Sequence, residues 1–175
     1  MELSETLDRF RGPLIGLIAS WGASYADAIE LAQDSFADAY LSREACRGDW
    51  TDPEVFGRWL RGVAKNKFRY EMRSRKRREQ RVVGVEQSVL EAAAESPQQP
   101  DERMQRLRAA IEDLPAKQRQ VVLMHYLEET SVGDVAALLS VSAKTVEGRL
   151  YQARRALKRM MGLVLSKRIG KALLL

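Results

Sequence analysis

Apolar residues recur every three or four positions along nearly the whole chain, and the alternating pattern of a β-strand is almost absent. This spacing places the apolar side chains along one side of an α-helix. The first such segment runs from Leu3 to Trp21. Within it, Gly12-Pro13 predicts a kink or a helix start, and Gly22 predicts the end of the segment. The pattern therefore predicts an all-α fold.

Residues that cap free backbone amides mark where the next helices begin. Ser24 predicts a helix over residues 25–46. Thr51 or Asp52, standing directly before a proline, predicts the start of a long helix that ends near Arg81. The first part of the chain therefore reads as a small helical domain.

Residues 82–100 have a different composition, because Gln, Ser, Ala, Glu and Pro dominate after a short apolar stretch. Such a segment cannot bury a core and predicts a flexible linker, with a short helical turn around residues 89–94. We therefore divide the chain into a helical domain over 1–81, the linker, a second helical domain over 101–161, and a tail over 162–175 whose role is unknown.

The second domain is expected to contain four short helices. The first closes at Leu114-Pro115, the second covers residues 121–127, and Ser131 and Ser142 cap the third and fourth. The fourth is expected to reach residue 161.

The last two helices are separated by a three-residue turn, and the small Ala136 lies where they cross. This arrangement predicts a helix-turn-helix whose second helix enters the major groove of DNA, whereas the alternative is a helical hairpin without a DNA role. Gln152 can read adenine, Glu147 can accept a hydrogen bond from cytosine, and the basic residues of this helix suit phosphates.

Charge is distributed unevenly along the chain, whose formal net charge is +5. Residues 1–60 carry 5 basic and 11 acidic side chains, whereas residues 61–81 carry 10 basic and 2 acidic ones. A second basic block lies beyond the acidic residues 82–102. Two basic blocks separated by an acidic segment favour two contacts with a polyanion over a merely solvated surface.

The helix after Ser24 carries its acidic residues in one arc of about 80°, opposite an apolar face. These acidic residues are Asp27, Glu30, Asp34 and Asp38. Like charges on one face do not stabilise a helix. The stripe is either an ordinary solvated face or a docking surface for a basic partner.

The following helix carries basic residues along one side, namely Arg58, Arg61, Lys65, Arg69 and Arg73. Such a stripe repels itself unless a polyanion neutralises it, as DNA phosphates would. Aromatic residues lie nearby and suit stacking with unpaired bases. Trp59 and Tyr70 also fit a core position, whereas Trp50, in a polar loop, is the better candidate for base contact.

Several functional classes lack support in the sequence. Cys46 is the only cysteine and His125, in a mostly apolar helix, the only histidine, so no disulfide, metal cluster or enzymatic centre is indicated. We expect no enzyme activity, no cofactor and no small-molecule substrate. No signal peptide and no apolar run of about 20 residues is visible, so we expect a cytoplasmic protein.

Four segments resemble the sigma-70 family of RNA polymerase sigma factors. Residues 27–36 (DAIELAQDSF) and 56–66 (FGRWLRGVAKN) resemble region 2, and residues 114–123 (LPAKQRQVVL) with 131–157 resemble region 4. The short chain is similar to the extracytoplasmic-function (ECF) class. The resemblance implies an alternative sigma factor that binds core RNA polymerase and directs promoter-specific transcription initiation. Its first domain would be a region 2 helical bundle and its second a region 4 helix-turn-helix.

The resemblance also implies the partners and the roles of individual residues. Region 2 would dock on the clamp helices of the β′ subunit and open the −10 promoter element, and region 4 would read the −35 element and meet the β flap. The resemblance also implies an anti-sigma protein as a partner, because such proteins commonly bind members of this family. The implied polymerase-binding residues are Asp27, Glu30, Leu31, Gln33, Asp34 and Phe36. The implied −10 DNA-binding residues are Trp50, Arg58, Arg61, Lys65, Asn66, Arg69, Arg73 and Arg77. The implied −35 DNA-binding residues are Ser142, Ala143, Lys144, Thr145, Glu147, Gly148, Arg149, Gln152 and Arg155.

Three residues depart from the family pattern. Ile29 stands where an acid is usual, Glu147 where a base is common, and Ser140 where the turn usually has glycine. The alternative function is a helix-turn-helix transcriptional regulator acting without core polymerase, which would not need the acidic stripe or the loop aromatic.

Overall fold

The structure is a computed structural model that describes residues 3–82 and 102–161. These residues form seven α-helices and no strand, so the predicted all-α fold is confirmed. The helices are α1 (Leu3–Ser20), α2 (Tyr25–Leu41), α3 (Pro53–Val82), α4 (Glu102–Glu112), α5 (Ala116–Tyr126), α6 (Val132–Leu139) and α7 (Ala143–Met161). Beyond Val82, the predicted linker with its short helical turn lies outside the described residues, as does the tail.

Helix α1 passes through Pro13 instead of starting there. The helix-start alternative was wrong because the apolar face continues on both sides of the proline, with Phe10 and Leu14 fully buried. Packing of that face outweighs the hydrogen bond that proline removes. The helix ends at Ser20, and Gly22 follows with a φ of +105°, which glycine adopts without steric cost.

Helix α2 begins at the predicted cap, because Ser24 Oγ accepts a hydrogen bond of 3.2 Å from the Asp27 amide. It ends at Leu41, earlier than the predicted residue 46. The amide and the hydroxyl of Ser42 both bond back to the Asp38 carbonyl, and the chain then enters a 3₁₀ turn over Arg43–Ala45. Hydrogen bonds at the end of the helix therefore overrode its apolar periodicity.

Helix α3 begins at a proline and helix α5 directly after one. Helix α3 starts at Pro53 as predicted, and Asp52 Oδ1 accepts a 2.8 Å hydrogen bond from the Glu54 amide. Helix α5 starts at Ala116, before the predicted residue 121, because the Pro115 carbonyl already accepts backbone hydrogen bonds from the first turn.

Helix α1 joins the two halves of the chain. It packs against α2 and α3 on the N-terminal side and against α5 and α6 of the C-terminal half, while α3 also packs against α6. The buried apolar residues of both halves form one continuous cluster. The two sequence-defined helical units thus lie against each other, an arrangement that the sequence did not indicate.

Gly16 of α1 allows a close approach of the α5 backbone. A Cβ atom added at Gly16 would lie 2.5 Å from Met124 Cα and 2.6 Å from the Leu123 carbonyl oxygen of α5. Because backbone atoms cannot move aside cheaply, only glycine fits where these two helices touch.

Candidate functional site

Helices α6 and α7 form the predicted helix-turn-helix. Ser131 Oγ accepts a 3.0 Å hydrogen bond from the Asp134 amide and caps α6, and Ser142 Oγ caps α7 through the Thr145 amide at 3.2 Å. Between them, Ser140 adopts a left-handed φ of +56°. Serine thus occupies the turn conformation that glycine adopts more readily, which explains how the helix-turn-helix forms without the usual turn glycine.

The outer face of α7 carries the residues expected to contact the −35 element. Exposed members are Ser142, Ala143, Lys144, Glu147, Gly148, Gln152 and Arg155, while Thr145 and Arg149 are half-buried. Gln118 of α5 donates a 3.4 Å hydrogen bond to the Gln152 side chain. The structure therefore exposes seven of the nine residues, turns Thr145 and Arg149 partly inward, and holds Gln152 against a neighbouring helix.

The acidic face of α2 is partly paired with α3. Arg75 donates to both Asp27 carboxylate oxygens, at 2.5 and 2.7 Å, and Lys67 lies 3.2 Å from Asp34 and 2.8 Å from Asp38. The sequence had not indicated these pairs, because the partners lie on different helices. Asp34 and Asp38 nevertheless keep more than half of their side-chain surface exposed.

Glu30 is exposed and has no ion pair among the described residues. The four acids of α2 carry four negative charges, and only two cations, Lys67 and Arg75, pair with them. This face therefore keeps a net negative charge. The face can therefore still attract a basic partner.

Two of the expected polymerase-binding residues lie inside the protein. Leu31 and Phe36 are 7% and 5% exposed, because the apolar face of α2 packs into the core. They position α2, and only small parts of them reach the surface. Gln33 is exposed and, with Phe36, lines an apolar groove of about 440 Å³ between α1 and α2.

Helix α3 presents cations on its outer side. Arg58, Asn66, Arg69, Arg73 and Arg77 are exposed, and no ion pair within the described side chains involves their four guanidinium groups. The opposite side is apolar, as Phe56, Leu60 and Ala64 are buried. The predicted division of α3 into an apolar and a basic side is therefore present.

Arg61 and Lys65 face inward, toward the second half of the chain. Arg61 Nη1 donates to the Leu139 carbonyl at 2.6 Å and to the Leu138 carbonyl at 3.3 Å, which caps the C-terminal end of α6. Burial, with Arg58 nearby, lowers the pKa of Arg61. Lys65 Nζ lies 4.2 Å from the Trp21 ring, and burial lowers the pKa of Lys65 as well. In this arrangement neither side chain is open to duplex DNA.

The aromatic residues differ from expectation in part. Trp50 is half-buried, with its ring edge against Tyr40 at 6.4 Å between centroids and the Arg43 guanidinium 5.6 Å from its ring. Tyr70 is 67% exposed, so a core position for it was wrong, because it lies on the outer side of α3. Trp59 donates its indole N–H to the Ala39 carbonyl at 3.2 Å and is half-buried, as a core residue would be.

The sequence pattern did not predict the polar contacts between the two halves of the chain. Arg9 Nε lies 2.9 Å from Asp134 Oδ1, and the Tyr25 hydroxyl donates to Glu128 at 2.5 Å. This hydrogen bond to Glu128 raises the pKa of Tyr25. The available signal was the glycine at position 16 on the buried face of a helix, since an interior glycine often marks a close approach.

Other kinds of site find little support. In the part of the chain that the structure describes, no cluster of His, Cys, Asp or Glu could hold a metal ion. None of the described helices is both long and apolar enough to cross a bilayer. His125 is half-buried, with Nδ1 2.6 Å from the Thr130 carbonyl oxygen, which fits a packed residue.

Replacing Asp27 with Asn should destabilise the protein near neutral pH. Arg75, followed by Ser24, lowers the pKa of Asp27 from 3.8 to about 2. Because the folded-state pKa is depressed, the stabilisation is present above pH 3.8 and is lost as the pH falls toward 2. Since the pair is partly solvent-exposed, we expect a loss of about 0.5–1 kcal/mol at pH 7 that shrinks below pH 4. Urea unfolding at several pH values measures it. Glu30→Gln is the control, and an equal effect in both variants would contradict the assignment.

The fold and these surfaces define a helical protein with two features. One is a helix-turn-helix of the DNA-binding kind, and the other is an acidic face on α2 next to a basic face on α3. The model of the sigma-70 region 4 family matches residues 104–157. This match and the relatives described below support a sigma-70 family factor of the extracytoplasmic-function (ECF) class.

Three curated relatives illustrate the similarity. The RNA polymerase sigma-H factor of Pseudomonas aeruginosa is 24% identical, over 87% of this chain and 82% of its own length. The ECF sigma-E factor of Salmonella typhimurium is 25% identical, over 85% and 81%. The probable sigma factor RfaY of Xanthomonas campestris is 29% identical over 76% of this chain, which spans only 36% of that protein's length.

Solved structures support the fold. The sigma factor RpoE bound to the anti-sigma factor NepR from Bartonella quintana has a TM-score of 0.50 at 22% identity, covering 93% of this chain and 98% of that one. CnrH in complex with the cytosolic domain of CnrY has a TM-score of 0.51 at 22% identity, covering 91% and 87%. At this identity the likeness concerns the architecture alone.

Proposed function

We propose that this protein is an alternative sigma factor that binds core RNA polymerase and directs promoter-specific transcription initiation. One observation carries the proposal: within a single helical unit, α2 presents a net acidic face and α3 a basic face without acidic partners among the described side chains. A protein that binds only DNA has no need for the acidic face. The separate helix-turn-helix supplies a second DNA contact.

The acidic face of α2 and the apolar groove beside it are the proposed polymerase-binding surface. Asp27, Glu30, Asp34 and Gln33 provide charge and polar contacts, and Leu31 and Phe36 hold the helix in place from the core. Leu41, which is 77% exposed, lies at the groove. This combination suits a helical partner that carries both basic and apolar side chains, as the clamp helices of β′ would.

The outer face of α3 is the proposed −10 surface. Arg58, Asn66, Arg69, Arg73 and Arg77 are exposed and suit the backbone and unpaired bases of melted DNA. Trp50, Arg61 and Lys65 are engaged within the protein and would have to move to take part. Of the three, Arg61 binds the second half directly, so its use in the −10 contact would require the two halves to rearrange.

The outer face of α7 is the proposed −35 surface. Some of its residues are expected to contact base edges and others to contact phosphates. Replacing Gln152 or Glu147 with Ala should change the preferred −35 sequence, with about 1–3 kcal/mol lost for the base concerned. Lys144→Ala should weaken binding to all sequences alike. Competition binding on a library with a randomised −35 element measures both effects. An unchanged sequence profile in all three variants would show that this face does not read bases.

An anti-sigma protein is a further proposed partner, because the similar RpoE was solved in complex with the anti-sigma factor NepR and CnrH with the cytosolic domain of CnrY. Because the proposed partners are promoter DNA and core polymerase, we propose that the protein acts in the cytoplasm. The protein would work by binding, without catalysis of its own. The β flap is the proposed polymerase contact of the second half.

Run-off transcription with core polymerase on genomic fragments tests the proposed function. We expect transcripts that start at defined promoters and require the added protein. DNA binding without such transcripts, and without recovery of polymerase in a pull-down, would favour a regulator that acts without polymerase.

A further inference from the structure

A basic cavity of about 510 Å³ lies between the two halves of the protein. One wall is α3, with Arg58, Arg61 and Lys65, and the other comes from α5 and α7, with Lys117 and Arg149. Its lining, as far as the described residues supply it, contains no acidic side chain. The cavity forms where the two halves meet, and it shares Arg58 with the outer side of α3 and Arg149 with the expected −35 residues of α7.

The positive charge in this cavity has little counter-charge in the part of the chain that the structure describes. Arg61 bonds to the carbonyls at the end of α6, but no ion pair among the described residues involves the other four cations. Lys65, Arg61 and Arg149 are half-buried, so solvent screens their repulsion less than it would on an open surface. An anion in the cavity would relieve that repulsion and gain several hydrogen bonds.

The size and lining of the cavity indicate what kind of anion fits. Its volume lies in the range of small-ligand sites, and a DNA duplex is far too wide to enter it. A triphosphate carries roughly four to five negative charges near neutral pH, which matches the four cations not engaged by backbone carbonyls. Trp21 and aliphatic side chains supply an apolar floor.

We propose that this cavity binds a triphosphate chain, supplied by a nucleoside triphosphate or by inorganic polyphosphate. The ligand touches both walls and thereby favours the packed arrangement of the two halves. The proposal does not depend on the protein's role in transcription, because the binding is measured without polymerase or promoter.

Isothermal titration of the full chain with ATP and with inorganic triphosphate, at constant ionic strength, tests the proposal. We expect saturable binding of one ligand per chain. Tighter binding of ATP identifies a nucleotide as the source, with its base on the apolar floor, whereas equal binding shows that the phosphate chain suffices. Sulfate that binds as well as triphosphate would overturn the proposal.

Variants of each wall make the test specific. Arg58→Gln with Lys65→Gln, and separately Lys117→Gln with Arg149→Gln, should each weaken triphosphate binding at least tenfold. Lys158→Gln with Arg159→Gln removes the same charge from exposed positions of α7 outside the cavity and should change the affinity less than threefold. Circular dichroism checks that all variants are folded.

Two outcomes would contradict the composite site. If only one wall's variant weakens binding, the anion sits on a surface patch and not between the halves. If a short single-stranded oligonucleotide binds with the same variant dependence while triphosphate does not bind, the cavity serves nucleic acid and the proposal fails.

Discussion

Reversing the charge of Glu30 and Asp34 to Lys should lower the affinity for core RNA polymerase at least tenfold. The double variant replaces two exposed acids by two bases on the proposed docking face, and opposed like charges across an interface cost several kcal/mol. The fold should survive, because Glu30 has no ion pair among the described residues, Asp34 is 59% exposed, and Lys67 keeps its pair with Asp38. Fluorescence anisotropy with labelled protein and core polymerase measures the change.

The matched control is a reversal of Glu112 and Asp113, which are exposed acids at the end of α4. It alters the net charge equally and should leave polymerase binding within about twofold. Affinity of the Glu30/Asp34 variant for a −35 DNA fragment should stay close to that of the unmodified chain. Equal polymerase affinity in the variant and the unmodified chain would rule out α2 as the docking face.

Gly16→Leu should separate the two halves of the protein. Its side chain would have to occupy space held by the backbone of Leu123 and Met124, so α1 and α5 could no longer touch. Packed halves should give a radius of gyration near the about 16 Å of a compact chain of this length. We expect small-angle scattering of the variant to give a clearly larger value, and thermal unfolding to broaden or split into two transitions.

Gly62→Leu is the control for Gly16→Leu. Gly62 also lies inside a helix, but a Cβ atom there meets nothing within 4 Å. The gain in helix propensity should leave the protein compact and slightly more stable. Unchanged scattering in both variants would mean that the contact between α1 and α5 does not hold the halves together in solution.

Sequence pattern predicted the local structure well where a single helix decides it. Ser24, Ser131 and Ser142 cap helices as expected, and the apolar faces of α2 and α3 are buried. Errors occurred where hydrogen bonds at a helix end overrode the periodicity, as at Ser42.

The hydrophobic pattern did not predict most contacts between segments that are distant in the sequence. The pairs of Arg75 with Asp27 and of Arg61 with the end of α6 join residues separated by 48 and 78 positions. A helical wheel shows that a residue faces outward, but it does not show which other helix lies there. The pattern therefore predicted Arg61 and Lys65 as open DNA contacts, although Arg61 binds the end of α6 and Lys65 lies against the Trp21 ring.

The position of Arg61 has a consequence for affinity. Its guanidinium serves as the cap of α6 in the packed arrangement, where it is half-buried between the two halves and is not open to duplex DNA. A DNA-bound state that uses Arg61 must therefore draw on a separated conformer, and the apparent dissociation constant equals the intrinsic one divided by the fraction of that conformer. Whatever shifts this conformational equilibrium, such as a bound polymerase or a ligand between the halves, would change promoter occupancy without touching a single DNA contact.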